Sequence, residues 1–407
     1  MITIIVLLIL AVVAIGAVRD SGIIGHAQNS ADKYNTGKAE EESMLGQYED
    51  AISQYENGDS SGEDDNFGTS GDGSGGNIPV GDVTILEAQA DSMLSKTTNS
   101  TTYDSYGNKI VVPAGFKILV DDTTGYTADN LDVTKGIVIK DSKENEFVWI
   151  PVGENITNGT KTETIKLSRY TFDSTTGKET DIGDAPIGIC QELATSNKGN
   201  ATAKNLSGFL SSVNTNNGYY IARYEAGVTG YDSSKTTYNS NEETNWTGYV
   251  AEEGKELKLV SKDYQRVWDI VTQNKASELC QNMYEENSNY TSDLVNSYAW
   301  DTAIVFIQTF GTEGYSSKYS ILNACSSDFD KTGCHSDDKV CNIYEMSGNA
   351  SEWSTETSND DSDPCVMRGG HNTKSSERYG YTGMRVLESD ETASDFHSFR
   401  PLLYLED

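Results

Sequence analysis

Asn342-Ile343-Tyr344-Glu345-Met346-Ser347-Gly348-Asn349-Ala350-Ser351-Glu352-Trp353 is the stretch on which the reading of this chain turns. Two short runs downstream belong with it, Arg368-Gly369-Gly370 and Phe399-Arg400-Pro401. The first stretch carries two carboxylates, Glu345 and Glu352, on a loop containing Gly348. The two short runs each set an arginine, Arg368 or Arg400, in an apolar strand, where a buried guanidinium needs a carboxylate partner.

Working outward, Gly218-Tyr219-Tyr220-Ile221-Ala222-Arg223-Tyr224-Glu225-Ala226 reads as a strand. Lys275 to Tyr284 carries Ala, Leu, Cys and Met at helical spacing, and Asn296 to Ile307 reads as a second helix. Upstream, 109–113, 116–120, 136–140 and 146–152 are short apolar runs expected as strands. Gly107-Asn108 supplies turn chemistry just before the first of them, since both residues tolerate a left-handed backbone. No repeat of fixed period is present. The expected fold class is α+β, with a main domain over 205–407 and a β-rich subdomain or elaboration over 80–204.

In order from about Asn205 to Leu405, these segments resemble the formylglycine-generating-enzyme family, a branch of the C-type-lectin-like folds. The Gly218–Glu225 strand is similar to the one that opens the family's core. Trp300-Asp301 lies where the family has a Trp-Glu pair. The resemblance implies a scaffold used by enzymes and ligand-binding proteins alike, so function must be argued from the residues on it.

The resemblance also implies calcium on the 345–352 loop. Glu345 and Glu352 would give side-chain oxygens and Gly348 and Ala350 backbone carbonyls, the hard ligands that calcium takes. The alternative is a tight turn held by its own hydrogen bonds. Catalytic family members place paired cysteines after the Arg-Gly-Gly run, where copper and the substrate thiol bind. This chain has no cysteine after Gly370, and Cys365 precedes the run. Soft-metal ligation needs those sulfurs, so a non-catalytic domain is expected and no catalytic residue is assigned. HExxH, GxSxG and P-loop patterns are absent. His371 and His397 leave an enzyme of unknown chemistry as one alternative.

The segment from His371 to His397 is polar with interspersed aromatics, as binding loops are. In the lectin-like fold the corresponding stretch forms part of the ligand-binding face. Related proteins include the variable proteins of diversity-generating retroelements, which vary in such a segment ahead of a closing Phe-Arg strand. Tyr379, Tyr381 and Phe396 are the expected stacking or apolar contacts, and Asn372, Arg378 and Asp395 the expected hydrogen-bonding ones. The alternative is an ordinary solvent-facing loop.

Residues 1–18 are apolar and uncharged, long enough to span a bilayer as a helix. With no basic residue ahead of the run, an anchor is expected in place of a cleaved signal. The segment resembles the first helix of type IV pilin-like proteins. Met44, Leu45, Tyr48, Ala51, Ile52 and Tyr55 continue it as one helix face to about residue 57. Residues 58–79 are a Gly/Ser/Asp linker, extended by their acidic charge. A structural filament subunit is thus a second alternative.

The formal net charge of −33 argues against nucleic-acid binding, which needs a basic footprint. Six cysteines without a CxxC are compatible with disulfides in an exported chain, in a connectivity that spacing does not decide. The expectation is a cell-surface, membrane-anchored or pilus-associated adhesin with an unknown extracellular protein or glycan ligand.

Overall fold

A computed structural model describes residues 92–121, 123–125, 130–193, 201–236, 248–285, 287–318, 331–334, 339–370 and 381–406. All lie in the unit Asn77–Asp407. The expected anchor, amphipathic helix and linker lie outside the described residues. Among the described residues no helix is long and apolar enough to cross a membrane.

The molecule mixes helix and strand, with strand predominant. Its central sheet has the order β17-β22-β11-β5-β4-β3, formed by Tyr290–Leu294, Pro401–Leu405, Gly218–Ala222, Glu146–Pro151, Val138–Asp141 and Phe116–Ile118. Neighbouring strands are antiparallel throughout. Since β5 pairs with β11 from Gly218↔Pro151 to Ala222↔Phe147, the strands between Phe116 and Pro151 build the same sheet as the C-terminal strand. Three of that sheet's six strands, β3, β4 and β5, thus come from the stretch 80–204 expected as a β-rich subdomain or elaboration.

Period-two alternation buries both faces of the central sheet. Tyr219, Ile221, Leu402 and Tyr404 join one core with helices α1 (Leu206–Asn216) and α3 (Ser297–Phe310). Tyr220, Ala222, Leu403 and Leu405 join another with Ile110, Val112 and Phe116. A third core contains Ala276 and Cys280 of α2 (Gln273–Asn282), with Trp268, Trp353, Met367 and Phe399.

The second sheet has the order β10-β18-β19-β20, namely Cys190–Gln191, Ser351–Ser358, Cys365–Arg368 and Val386–Glu388. Strand β21 (His397–Phe399) pairs in parallel with β18. A third sheet runs β15-β12-β16, from Lys258–Val260, Gly227–Thr229 and Arg266–Val267. Two-stranded ribbons complete the strands: β1–β2 (Ser100–Tyr103, Lys109–Val112), β6–β7 (Gly153–Thr157, Thr162–Ile165), β8–β9 (Tyr170–Phe172, Glu179–Asp181) and β13–β14 (Tyr231–Thr236, Tyr249–Ala251).

Local chemistry sets the turns and helix ends. The β1–β2 and β4–β5 hairpins share one Asp-Ser-x-x-Asn turn. Asp104 Oδ1 accepts the Tyr106 and Asn108 amides, at 3.0 and 2.8 Å. Asp141 does the same for Lys143 and Asn145, at 2.8 and 2.7 Å. Each Asn side chain donates back to its Asp. Gly107 and Glu144 take the left-handed position of each turn. Asn205, Thr272 and Asn296 cap α1, α2 and α3, each accepting an amide of the first turn.

Helix α2 and helix α3 lie where their periodicity put them. Helix α1 carries no comparable sequence signal: its Ser, Asn and Gly residues are weak helix formers. Burial of Phe209 and Val213 against the sheet carries it instead.

Cys190, Cys280, Cys341 and Cys365 are free thiols, and Cys334 is disulfide-bonded. Burial pushes the Cys190 thiol up to about 11 and that of Cys341 up to about 12, so neither is a ready nucleophile.

Candidate binding face and the charges beneath it

Strands β19 and β20 pair antiparallel, with Cys365↔Glu388 and Met367↔Val386. The chain between them leaves at Arg368-Gly369-Gly370 and returns through Tyr381 to Arg385. Both stems end on a buried arginine, and both arginines meet the same two carboxylates. Arg368 donates to Asp301 Oδ1 at 2.5 Å and to Glu356 Oε2 at 3.4 Å. Arg385 donates through Nε to both Glu356 oxygens at 2.8 Å and through a terminal nitrogen to Asp301 Oδ2 at 2.6 Å. Arg169 also pairs with Glu356. Backbone groups close the network: Tyr170 N–H donates to Asp301 at 2.9 Å, and Arg368 donates to the Met384 carbonyl at 3.0 Å.

Burial opposes the charge on Glu356, but Arg385, Arg368 and Arg169 together hold its carboxyl below the usual range. Beside this cluster, Glu192 accepts the Ser297 amide and hydroxyl, at 2.8 and 2.7 Å, and the Thr355 hydroxyl at 2.5 Å. Although Glu192 is partly exposed as a residue, the burial of its carboxyl pushes the pKa up to about 7, and the charge of Glu356 adds to the shift.

A second charged group fastens the 342–353 loop. Arg400 donates to both oxygens of Glu352, at 2.6–3.1 Å, and to the carbonyls of Ala222 and Tyr344, at 3.0 and 2.9 Å. From the bend between β11 and β12, buried Glu225 accepts the Asn349 amide at 2.7 Å and the Ala350 N–H at 3.0 Å. Burial, then Glu345, then Glu352 raise the Glu225 carboxyl well above its ordinary range. Asn342, Glu345 and Asn349 all have positive φ, near 60°, which the two asparagines accommodate most readily. Gly136 lies against this loop at φ 82, where a Cβ would sit 1.8 Å from the Cys341 carbonyl oxygen.

The four expected calcium ligands are therefore not equivalent. Glu352 is committed to Arg400, while Glu345 accepts the Gly333 amide through one oxygen, at 2.6 Å. Among the described residues no group of three or more His, Cys, Asp or Glu side chains is arranged to hold a metal ion.

Of the expected ligand contacts, Asn372, Arg378 and Tyr379 lie outside the described residues. Tyr381 is half-buried, and its stem is held on the segment after α3 by Thr382 N–H to Lys318 O and Gly383 N–H to Ser316 O, at 3.1 and 2.8 Å. Asp395 and Phe396, also half-buried, have other neighbours: Ser351 N–H donates to the Phe396 carbonyl at 2.8 Å, and Ile270 N–H to the Ser394 carbonyl at 3.0 Å. His397 is buried, edge-on to Trp353 at 5.2 Å, and is not the surface residue its composition suggested.

Sequence reasoning identified Arg368 and Arg400 as needing acidic partners but did not single out Arg385, Glu356, Glu225 or Arg169. Arg385 has apolar neighbours, Met384 and Val386-Leu387, but lies inside the stretch that reads as a binding loop. Glu356 belongs to the run Ser351–Ser358, which reads as polar yet is buried throughout.

No family model matches this sequence, and no curated protein matches it. One solved structure, described as "Crystal Structure of CarF", is similar at 14% identity, covering 47% of this chain and 87% of that chain, with a TM-score of 0.29. A likeness that weak carries no argument about fold or function.

Proposed function

We propose that this chain is a surface-displayed ligand-binding protein or adhesin. Its scaffold is non-catalytic, C-type-lectin-like and related to formylglycine-generating enzymes, and its ligand contacts come from residues 371–397. The observation that carries this reading is the shared clamp: Asp301 and Glu356 hold both Arg368 and Arg385. A loop whose two stems are locked from beneath can change sequence without disturbing the scaffold, the condition under which binding loops vary. Stacking falls to Tyr379, Tyr381 and Phe396, directional hydrogen bonds to Asn372, Arg378 and Asp395.

In the same reading residues 1–18 anchor the chain at the cell surface, and the ligand is an extracellular protein or glycan. Calcium, if the loop takes it, is met by Glu345 and the Gly348 and Ala350 carbonyls.

Sequencing the 3′ end of the gene across one natural population tests the proposal. Substitutions should cluster within 371–381 and 388–396, while Thr382, Gly383, Arg385, Val386 and Phe399-Arg400 stay constant. Changes scattered evenly over the segment, the buried stem included, would overturn it.

A further inference from the structure

Strands β12 and β16 and residues 264–265 enclose a cavity of about 450 Å³, lined by Thr229, Tyr231, Tyr264, Gln265, Arg266 and Lys331 among others. Tyr264 is 56% exposed and has φ 57, a left-handed backbone that bulky side chains rarely adopt. Ile270, a β-branched residue at φ 52, closes the same segment at its far end. Residues held in such conformations concentrate at functional sites, because surrounding structure must impose them. The Lys331 ammonium lies 3.9 Å from the Tyr264 ring centroid, and among the described residues no carboxylate pairs with it. Arg266 donates to the Tyr249 hydroxyl at 2.8 Å and to Asp269 at 3.1 Å, which fixes the guanidinium at the cavity wall.

We propose that this cavity is a second binding site, taking a sugar ring that carries a carboxylate or a sulfate. Its size falls in the range of small-ligand sites. The exposed Tyr264 ring, with the half-buried Tyr231 beside it in the lining, gives the apolar area against which the C–H face of a pyranose packs. Thr229 supplies a hydroxyl, and the Gln265 side chain, whose amide nitrogen donates to the Asp263 carbonyl at 3.0 Å, leaves its oxygen as an acceptor for a ring hydroxyl. Lys331 brings a cation to this cavity of a molecule with net charge −33, while the charge of Arg266 is met by Asp269, so an anionic group beside Lys331 is favoured there against the overall field. An extended peptide fits less well. Strand β12 is paired on both sides, by β15 and β16, and Arg266 of β16 bridges to Lys331, so neither β12 nor this end of β16 offers a free edge to it.

The site uses none of residues 371–397, so it and the loop reading fail separately. Isothermal titration of the full chain would use a uronate-containing tetrasaccharide, a sulfated one, a neutral counterpart and an acidic peptide. The wild type should bind one or both charged saccharides and not the neutral one, and the pair shows whether carboxylate or sulfate is preferred. Tyr264→Asn, which keeps a residue that tolerates left-handed backbone, and Lys331→Met should each weaken binding by about tenfold or more. The Tyr264→Asn protein should melt no lower than wild type, since it relieves strain. No saccharide binding by wild type, saccharide binding untouched by both substitutions, or binding only of the peptide would each overturn the proposal.

Discussion

Arg400 shows how much one side chain can hold. It gives its donors to Glu352, to the Ala222 carbonyl at the end of β11 and to the Tyr344 carbonyl of the loop, so one residue just ahead of the C-terminal strand joins the 342–353 loop to β11. Removing one member of a buried pair leaves the other charged and unsolvated, at a cost of about 3–5 kcal/mol. Arg400→Met should therefore destabilise by that order in urea titration, and adding Glu352→Gln should restore part of the loss; a single-variant cost under about 1 kcal/mol would refute the assignment. Glu225 makes the opposite case. Burial pushes its carboxyl toward the neutral form, which an amide mimics, so Glu225→Gln should melt within a few degrees of wild type at pH 7. A large fall would mean that Glu225 carries its charge in the folded protein.

At the scale of elements, the β19–β20 stems and the loop they present divide the energetics between them. Glu356→Gln leaves Arg368 and Arg385 to Asp301 alone and Arg169 to the carbonyls of Ala185 and Cys190, and should cost about 3–5 kcal/mol in chemical denaturation. Replacing residues 372–379 by an equally long Gly/Ser segment should shift Tm by no more than about 2 °C. Equal losses from the two changes would show that the loop itself braces the stem. The 345–352 loop has its own test. If it takes calcium, EDTA should lower Tm, and Glu345→Gln should abolish the difference. A melting curve indifferent to EDTA would leave the loop to Arg400 and Glu225.

At the scale of the whole molecule, the buried carboxyls set the pH dependence. Burial raises Glu192 from the ordinary 4.5 to about 7 and Asp293 from 3.8 to about 6. A carboxyl raised on folding binds more protons folded than unfolded, so stability falls as pH climbs from the unfolded value to the folded one. Glu356, held below its ordinary value, gives the opposite slope on the acid side. Self-repulsion at a net charge of −33 adds to the loss at high pH. Glu192→Gln should match wild type near pH 4 and melt a few degrees higher at pH 8, since the amide can still accept from Ser297 and donate to the Thr355 hydroxyl. A difference that does not grow with pH would contradict the assignment.

The sequence by itself determined the strands from 109 to 151, the Gly218–Ala222 strand, helices α2 and α3, and the need of Arg368 and Arg400 for acidic partners. Those properties are local: period, turn chemistry and the cost of burying an unpaired charge all act within a few residues. It also excluded paired thiolates after Gly370, because composition alone settles that. Only the tertiary structure decided which carboxylate meets which arginine. Glu352 was read as a metal ligand and meets Arg400, 48 positions away, while Asp301 meets Arg368 across 67. The register of β18 against β19 and β21, with its shift between Trp353 and Thr357, brings these groups together. Strand register is a long-range quantity set by whole-sheet packing, so no spacing along the chain could announce that Arg368 and Arg385 share one clamp.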